Sequence, residues 1–507
     1  MSGGTFDLVV VGFGGAGAAA ALTAARAGAS VALLEKQPEG RHYPSTRMSG
    51  GLIMTVSDPA AAMPYLTACA GGMIPDAMLR AWAERAALLR PWLRQIGLDS
   101  VTLAGGWHPH FPGHDALEVV AIPRRSLADV RIDEAERMLA TRMGTLPKGM
   151  LASGMFGNGR ELFAALEAEV RATPGITPFY GHAAHRLLRE GRDAPVTGVD
   201  ADAGGVLAVF HARHGVVLTC GGYEFDERMK LDYLKAYPIH FYGCHANTGD
   251  GVRMAQDVGA DLWHMNQMIG RAIAHFELDG EPMNFNIAIA PAPYVFTDKY
   301  GRRFTNEDLQ AMSKEHFYCE LLDYDVERME YPRIPSFWFF DRRRMEAGHL
   351  VLKEAGLVGV GLYDWSPDNR REIERGWISE GDSVEAAARQ AGLADPAAAA
   401  RTIADYNRAC LEGADPFGRS PETMLPLEPP IYCMPVYPGG ASTCGGPRRD
   451  ERARIVDVRG APIRGLYSAG ELGEAVGLLY PSGGANLSDG LCFGQIAAES
   501  ALAEPLF

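Results

Sequence analysis

The 507-residue chain is longer than one typical domain and can bury a large core, so we expect two or more domains. Its 48 basic and 63 acidic side chains give a formal net charge of −15, which excludes a general affinity for nucleic acid because phosphates require basic patches. No apolar run reaches the length of a transmembrane helix, and the first strand begins too close to Met1 for a cleavable signal. We therefore expect a cytoplasmic protein with small-molecule partners.

The first predicted element is a short buried strand, Leu8–Val11, followed at once by three glycines. They are Gly12, Gly14 and Gly17, at G-x-G-x-x-G spacing, and they open an alanine-rich helix predicted over residues 16–26. The first glycine permits a tight turn, the second lets a pyrophosphate approach the backbone, and the third lets the helix pack close to the sheet. The positive end of the helix then faces the phosphates. This order of elements predicts a bound dinucleotide.

Glu35 follows a second predicted strand over residues 30–34, roughly 20 residues after the last glycine of the turn. A carboxylate at this position accepts hydrogen bonds from a ribose diol. The next loop, residues 44–51, combines hydroxyl side chains with paired glycines. It is either a plain turn or a place where backbone amides approach a flat ring or a phosphate.

No metal site is predicted from the spacing of cysteines or histidines. The eight cysteines form no C-x-x-C pair, which argues against a zinc knuckle or an iron–sulfur cluster. His108, His110 and His114 lie at uneven spacing between prolines, without a helix to hold them. Further along the chain the pattern predicts a helical segment at 75–98, a helix at 159–172, three antiparallel strands at 182–188, 196–201 and 206–211, and a buried strand at 216–218.

The composition of the sequence changes near residue 269, where proline and aromatic residues become frequent. After several prolines near residue 430, the pattern again predicts alternating strands and helices. We therefore expect an inserted domain over residues 269–431. The last part predicts a strand at 465–469 and a helix at 487–502. A tyrosine- and glycine-rich turn precedes this helix, whose positive end points at the predicted site.

Several separated segments resemble the fumarate reductase and 3-ketosteroid dehydrogenase group of flavoproteins. They are the glycine turn with Glu35, S-T-R-M-S-G-G at 45–51, L-T-C-G-G at 218–222, G-R-R-F-T-N-E at 301–307 and G-L-Y-S-A-G-E at 465–471. The resemblance implies an α/β fold with a discontinuous Rossmann-type, glutathione-reductase-like FAD-binding domain. That domain would comprise residues 1–268 and 432–507, and residues 269–431 would form an α+β catalytic capping domain.

The resemblance also implies which residues hold FAD. Relatives that attach flavin covalently carry a histidine where this chain has Pro44, so non-covalent FAD is expected. The implied cofactor-binding residues are Gly12, Gly14, Gly17, Glu35, Lys36, Thr46, Ser49, Gly50, Gly51, Gly222, Gly470, Glu471, Asn486 and Leu487.

Three departures separate this chain from the fumarate reductases of the group. Ser442 stands where they place a histidine for a substrate carboxylate, and Pro481 and Ser482 stand where they place an arginine. Ala311 stands where they carry the arginine that donates a proton. A dianionic substrate would lose charge-assisted hydrogen bonds worth roughly 1.5–3 kcal/mol each, which argues against succinate or fumarate.

The run from Tyr480 to Gly484 instead resembles the motif with which ketosteroid dehydrogenases bind a substrate ketone. A tyrosine hydroxyl and a backbone N–H suit an enolate oxygen, while a base removes the α-proton and the β-hydrogen leaves as hydride to flavin N5. The alternative is a turn that only caps the helix. The base stays open among four residues: Ser482, Tyr318, His316 and Tyr324.

The predicted function is an FAD-dependent dehydrogenase that forms a carbon–carbon double bond α,β to a ketone. The expected substrate is a small apolar cyclic ketone of the ketosteroid or cyclohexanone type. Because the chain has no C-x-x-C-H motif for attached haem, a diffusible electron acceptor is expected. One alternative is the reverse reaction, an ene reductase of an enone or enoate. The other is a flavin redox protein that signals without turnover.

Overall fold

The computed structural model describes residues 3–105, 108–122, 159–308, 314–476 and 480–506. Ala311 and the side chain of His316 lie outside the described residues. The described ranges form a mixed α/β structure with both parallel and antiparallel sheets. No helix in these ranges combines the length and the apolar character that crossing a bilayer requires.

The strands and helices are numbered here in chain order. The strands are β1 (Thr5–Phe6), β2 (Leu8–Val11), β3 (Val31–Glu35), β4 (Ile53–Val56), β5 (Val101–Ala104), β6 (Leu117–Ala121), β7 (Ile176–Tyr180), β8 (Ala183–Leu188), β9 (Gly198–Asp202), β10 (Leu207–Ala212), β11 (Val216–Leu218), β12 (His240–Phe241), β13 (Leu262–Trp263), β14 (Met268–Leu278), β15 (Glu281–Asn286), β16 (Tyr294–Thr297), β17 (Ser336–Asp341), β18 (Ser379–Gly381), β19 (Ile431–Thr443), β20 (Gly446–Pro447), β21 (Arg454–Val456) and β22 (Pro462–Ser468). The α-helices are α1 (Gly15–Arg26), α2 (Ser45–Met48), α3 (Pro59–Ala70), α4 (Asp76–Ala86), α5 (Leu89–Gln95), α6 (Gly159–Ala172), α7 (Glu227–Tyr233), α8 (Asp250–Asp257), α9 (Lys314–Leu321), α10 (Arg342–Glu346), α11 (Gly356–Gly359), α12 (Arg370–Glu374), α13 (Val384–Gln390), α14 (Pro396–Glu412) and α15 (Ala485–Ala503).

A six-stranded sheet in the order β21-β22-β11-β2-β3-β7 organises the first and last parts of the chain. Neighbouring strands are parallel except β21 with β22. All residues of β2, β3 and β11 are buried, which explains why these strands are continuous apolar runs. Helices α1 and α15 pack on each other; a Cβ at Gly494 would lie 2.4 Å from the carbonyl oxygen of Ala16. Two distant parts of the sequence thus share one core.

Most elements predicted near this sheet are confirmed. The buried strand predicted at 216–218 is β11, and the antiparallel ribbon is β8-β9-β10, to which β1 adds in parallel. The helical segment predicted at 75–98 is two helices, α4 and α5, and a short helix, α2, lies within the loop at 44–51.

A second sheet, which we call the cap sheet, has the order β15-β14-β19-β17-β16, with β12 and β18 also paired to β19. Aromatic side chains fill its core, among them the fully buried Trp338 and Phe340. Strand β19 is the centre of this sheet, and it runs from Ile431 to Thr443. The inserted domain predicted over residues 269–431 stays a proposal, because the cap sheet also draws on residues on both sides of that range.

The parallel strands β2, β3 and β11 end at the same edge of the six-stranded sheet. Ligands of open α/β sheets bind in the crevice beyond this carboxyl edge. The residues that follow these strands, Gly12 to Ala16, Lys36 to Gln37 and Thr219 to Gly221, all line one cleft, whose opposite wall comes from the cap sheet.

Candidate active site

The cleft has a volume of about 330 Å³ and brings together most of the predicted site residues. The cleft has two ends. The nucleotide end is lined by Gly12, Gly14 and Glu35, and the cap-side end by Tyr480 with Arg271, Asn286 and Glu354. The predicted residues that line the cleft are Gly12, Gly14, Glu35, Lys36, Thr46, Ser49, Gly50, Gly51, Gly470, Glu471, Tyr480, Gly484, Asn486 and Leu487. Gly17, Gly222, Ser482 and Tyr318 are not among the lining residues.

Gly12 and Gly17 of the glycine turn leave no space for a side chain. Gly12 has φ of +104°, and a Cβ there would lie 2.4 Å from the carbonyl oxygen of Thr219. A Cβ at Gly17 would lie 2.0 Å from the carbonyl oxygen of Gly12, so Gly17 lets α1 start directly against the turn. The amide of Gly15 donates to Oγ1 of Thr46 at 2.8 Å, which ties the turn to the 44–51 loop. Backbone groups therefore line this part of the cleft.

Glu35 is buried at the end of β3. Its carboxylate accepts hydrogen bonds from the amides of Phe13 at 3.0 Å and Gln37 at 2.8 Å, and Nε2 of His42 lies 3.3 Å away. Burial by itself raises the pKa of Glu35, but His42 and these two amides hold it below its usual value. The ionised carboxylate faces the cleft with capacity for further donors, as a ribose diol requires.

Lys36 follows Glu35 and crosses to the start of α8. Its Nζ donates to Oγ1 of Thr248 at 2.7 Å and to the carboxylate of Asp250 at 2.6 Å. Lys36 and Asp250 both line the cleft, so this pair fixes its side wall.

Glu471 lies in the cleft at the end of the turn after β22. It accepts hydrogen bonds from Oγ of Ser45 at 3.1 Å and Nδ2 of Asn247 at 3.3 Å. Burial, together with the charge of Glu224, raises the pKa of Glu471 to about 8. Glu471 therefore holds a proton at neutral pH and can donate to an oxygen in the cleft.

A buried ion pair fixes the turn that carries Glu471. Nη2 of Arg449 lies 2.5 Å from the carboxylate of Asp489 on α15, and both side chains are fully buried. Arg449 also donates to the carbonyl of Gly470, and Asp489 accepts from the amides of Ala475 and Val476. The turn and the start of α15 are therefore held in one geometry.

Gly222 supports the cleft from behind rather than lining it. A Cβ at Gly222 would lie 2.0 Å from Oγ1 of Thr443 and 2.6 Å from the carboxylate of Glu224. The preceding residue, Gly221, lines the cleft with φ of +72°. In the T-C-G-G run, the first glycine faces the cleft and the second makes room for packing.

Tyr480 lies at the cap-side end with φ of +45°, a conformation that non-glycine residues rarely adopt. Neighbouring contacts hold this turn in place. The Tyr65 hydroxyl donates to the carbonyl of Pro481 at 2.6 Å, and Oγ of Ser482 donates to the carbonyl of Gly105 at 3.1 Å. The guanidinium of Arg271 lies 4.9 Å from the centre of the Tyr480 ring.

Gly484 is the N-cap of α15, with φ of +86°. A Cβ there would lie 2.4 Å from the carbonyl oxygen of Leu52, so only glycine lets the helix start this close to β4. Tyr480, Gly483 and Gly484 all line the cleft, which places the phenol and the start of α15 on the same cavity.

The residues predicted as candidate bases do not converge on the cleft. Ser482 is fully buried and bonded to Gly105. The Tyr318 hydroxyl is buried without a hydrogen-bond partner among the described residues, and burial raises its pKa. Tyr324 is 41% exposed and does not line the cleft. These three roles stay predictions.

Three groups at the cap-side end were missed in the sequence. Arg271, Asn286 and Glu354 come from β14, β15 and the loop before α11. The available signal was the lone arginine within the apolar run M-I-G-R-A-I-A. A charged side chain among the buried apolar residues of a strand indicates a functional role for that side chain.

The described residues fit a bound FAD. The glycine turn presents backbone where side chains would collide, Glu35 presents an ionised carboxylate, and the start of α15 faces the same cleft. In the described ranges, His, Cys, Asp and Glu side chains do not form a group that could hold a metal ion.

Comparison with known proteins agrees with this fit. The profile of the FAD binding domain family matches residues 7–487. The 3-oxosteroid 1-dehydrogenase of Mycobacterium tuberculosis is 27% identical over 580 aligned residues, covering 97% of each chain. The 4-oxocyclohexanecarboxylate 2-dehydrogenase of Sinomonas cyclohexanicum is 26% identical, covering 98% of this chain and 92% of that one.

Among solved structures, a 3-ketosteroid delta1-dehydrogenase from Sterolibacterium denitrificans has the same fold. Its TM-score is 0.78 at 23% identity, covering 99% of this chain and 100% of that chain. Because the family profile matches most of the chain, this protein belongs to the FAD binding domain family, and it is an FAD-dependent oxidoreductase.

Proposed function

We propose that this protein is a dehydrogenase that forms a carbon–carbon double bond α,β to the ketone of a cyclic substrate. Tyr480 and the amide of Gly484 would bind the ketone oxygen. The observation that carries this proposal is that Tyr480 and Gly484 line the same cleft as the residues that fit FAD. Two relatives named for oxosteroid and oxocyclohexane substrates, aligned over nearly the whole chain, support it.

The chemistry requires an oxygen site of this kind. A C–H bond beside a ketone loses its proton readily only when the enolate oxygen is stabilised. A phenol hydroxyl and an amide at a helix N-terminus are two such donors, and both belong to one turn that Tyr65 and Ser482 hold in place. Bound FAD supplies the hydride acceptor.

The cofactor roles proposed for the other residues follow their positions in the cleft. The nucleotide end would hold the ADP part, and the turn after β22 with the start of α15 would hold the ribityl chain and the ring. The proposed set is Gly12, Gly14, Gly17, Glu35, Lys36, Thr46, Ser49, Gly50, Gly51, Gly222, Gly470, Glu471, Asn486 and Leu487. We also propose a diffusible electron acceptor.

Replacing Tyr480 by phenylalanine tests the function. The variant keeps the ring but loses the donor, so turnover of a cyclic ketone should fall about 10²- to 10³-fold while the flavin absorbance stays unchanged. Anaerobic bleaching of the yellow holoenzyme by ketones measures this rate. The matched control is Tyr180→Phe, because Tyr180 also lies under an arginine but outside the cleft lining. Unchanged turnover in Tyr480→Phe would refute the proposal.

Flavin absorbance also separates the dehydrogenase from the two alternatives, an ene reductase and a flavin protein that only signals. A dehydrogenase is bleached by saturated ketones, whereas an ene reductase, once reduced, recovers its colour with the unsaturated compound. A protein that only signals would respond to neither. Stopped-flow absorbance in both directions therefore decides the direction of reaction.

A further inference from the structure

Asn286 contributes a buried amide to the wall of the cleft. The residue lies on β15, is 5% exposed and lines the cap-side end. Its backbone carbonyl accepts a hydrogen bond from the amide of Leu352 at 2.9 Å, but no residue that the structure describes bonds to its side-chain amide. The donors and the acceptor of this amide are therefore available to a molecule in the cleft.

A second asparagine on the same strand shows the opposite arrangement. Asn284 is 3% exposed and is not among the residues that line the cleft. Its Nδ2 donates to the carbonyl of Phe241 at 2.8 Å, and its Oδ1 lies 2.7 Å from Nδ1 of His275. Strand β15 thus carries one amide that the protein satisfies and one that it leaves to the cleft.

Strand pairing places Asn286 on the same face of the cap sheet as the surroundings of Tyr480. Asn286 pairs with Ile273 of β14, and directly opposite residues of an antiparallel pair share a face. Arg271 lies two residues from Ile273 and so shares that face. Its guanidinium is 4.9 Å from the centre of the Tyr480 ring. A molecule bound at Tyr480 can therefore reach Asn286 by extending along the cap sheet.

We infer that Asn286 determines substrate specificity by binding a hydroxyl group remote from the ketone; this inference rests on the function proposed above. Apolar substrate surface packed on Asn286 would bury its amide without a partner, which is costly. A hydroxyl both donates and accepts, so it satisfies Oδ1 and Nδ2 together. A second ketone would engage only Nδ2, and a carboxylate would set a negative charge against Oδ1. The substrate class is a cyclic ketone that carries a hydroxyl group.

The test uses two pairs of ketones with the holoenzyme, and anaerobic flavin bleaching measures the rates. The first pair is 4-hydroxycyclohexanone and cyclohexanone. The second is 4-(4-hydroxycyclohexyl)cyclohexanone and 4-cyclohexylcyclohexanone, in which the hydroxyl lies one ring farther from the ketone. The wild type should prefer the hydroxyl member of at least one pair by about 10-fold or more in kcat/KM.

Asn286→Leu should lose this preference by slowing only the hydroxyl member. The variant should keep the flavin content and melting temperature of the wild type, because no described residue loses a hydrogen bond to the side chain. Asn284→Leu is the matched control on the same strand. It removes the contacts with Phe241 and His275, so it should lower the melting temperature and keep the preference. A purely structural role of Asn286 would give the pattern of this control.

Calorimetry with 4-cyclohexylcyclohexanol, which has no ketone, keeps the test independent of turnover. This alcohol should bind the wild-type holoenzyme and bind Asn286→Leu at least about 10-fold more weakly. Equal rates within both pairs, equal slowing of both members in Asn286→Leu, or equal binding of the alcohol by wild type and variant would each overturn the inference and leave the ketone function standing. If alcohol binding depends on Asn286 but no ketone bleaches the flavin, the hydroxyl site stands and the proposed function fails.

Discussion

The nucleotide end and the cap-side end of the cleft are built in different ways. The nucleotide end is built on the glycine turn, where a Cβ at Gly12, or at Gly17 behind the lining, would collide with backbone atoms. The cap-side end consists of side chains from separate elements, with Arg271 on β14 and Tyr480 before α15. This difference shows that local chain geometry fixes the shape of the nucleotide end, whereas the packing of distant elements fixes the shape of the cap-side end. Mutations should therefore break the two ends differently.

The largest expected effect is at the nucleotide end. Gly17→Val places its side chain against the carbonyl oxygen of Gly12, where a Cβ already lies at 2.0 Å, so α1 must move off the turn. We expect flavin content to fall below about a tenth of wild type, because such a clash displaces the whole helix start. The ratio of flavin to protein absorbance measures it.

The control for this change is Gly71→Asn. Gly71 ends α3 in a left-handed conformation with φ of +56°, which asparagine tolerates, and the nearest atom to its Cβ is 3.8 Å away. Full flavin content in Gly17→Val would show that the glycine turn is not the cofactor site.

An intermediate effect is expected in the cap sheet, where the stability of the folded chain should depend on pH. His240 on β12 stacks on His275 with ring centres 3.7 Å apart. Burial, and then the charge of His275, lower the pKa of His240 from 6.5 to about 3. Between these two values the unfolded chain binds a proton that the folded chain does not, so stability falls as pH falls through this window.

Replacing His240 by phenylalanine keeps a ring on His275 and removes this titration. The loss of melting temperature between pH 7 and pH 5 should become smaller by about 2 °C. His211→Phe, at an exposed position of β10, should leave the loss unchanged. An identical pH profile in both variants would contradict this account.

The smallest effect is expected at Tyr318. Its hydroxyl is buried without a hydrogen-bond partner in the described residues, and Gly270 lies between it and the Arg271 side of β14. Tyr318→Phe should keep turnover within about twofold and stability equal or higher, because a buried hydroxyl without a partner is itself costly. Steady-state rates and melting temperature check this. A loss of orders of magnitude would instead identify Tyr318 as the base.

The two ends also differ in how well the sequence predicts them. The order β2, glycine turn, α1, β3 and Glu35 could be predicted because each step depends on residues close in sequence. Tyr480 and Gly484 were found only through the resemblance of one motif. The T-C-G-G run indicated a glycine near the cleft, but which of its two glycines lines it depends on how Thr443 packs.

Arg271 shows why the rest could not be predicted. Its proximity to Tyr480 joins two residues more than two hundred positions apart, and only the packing of β14 against the start of α15 creates it. A lone arginine in an apolar strand indicates that some function is present. It does not indicate which residue the side chain meets.

The pairing of β22 with β11, together with the docking of α15 on α1, has a consequence for biosynthesis. The ribosome produces β2 and α1 well before β22 and α15, which complete their sheet and cover the helix. The pocket for FAD is therefore unfinished until these later elements have been made. The nascent polypeptide must wait for α15 before it can capture the vitamin-derived cofactor.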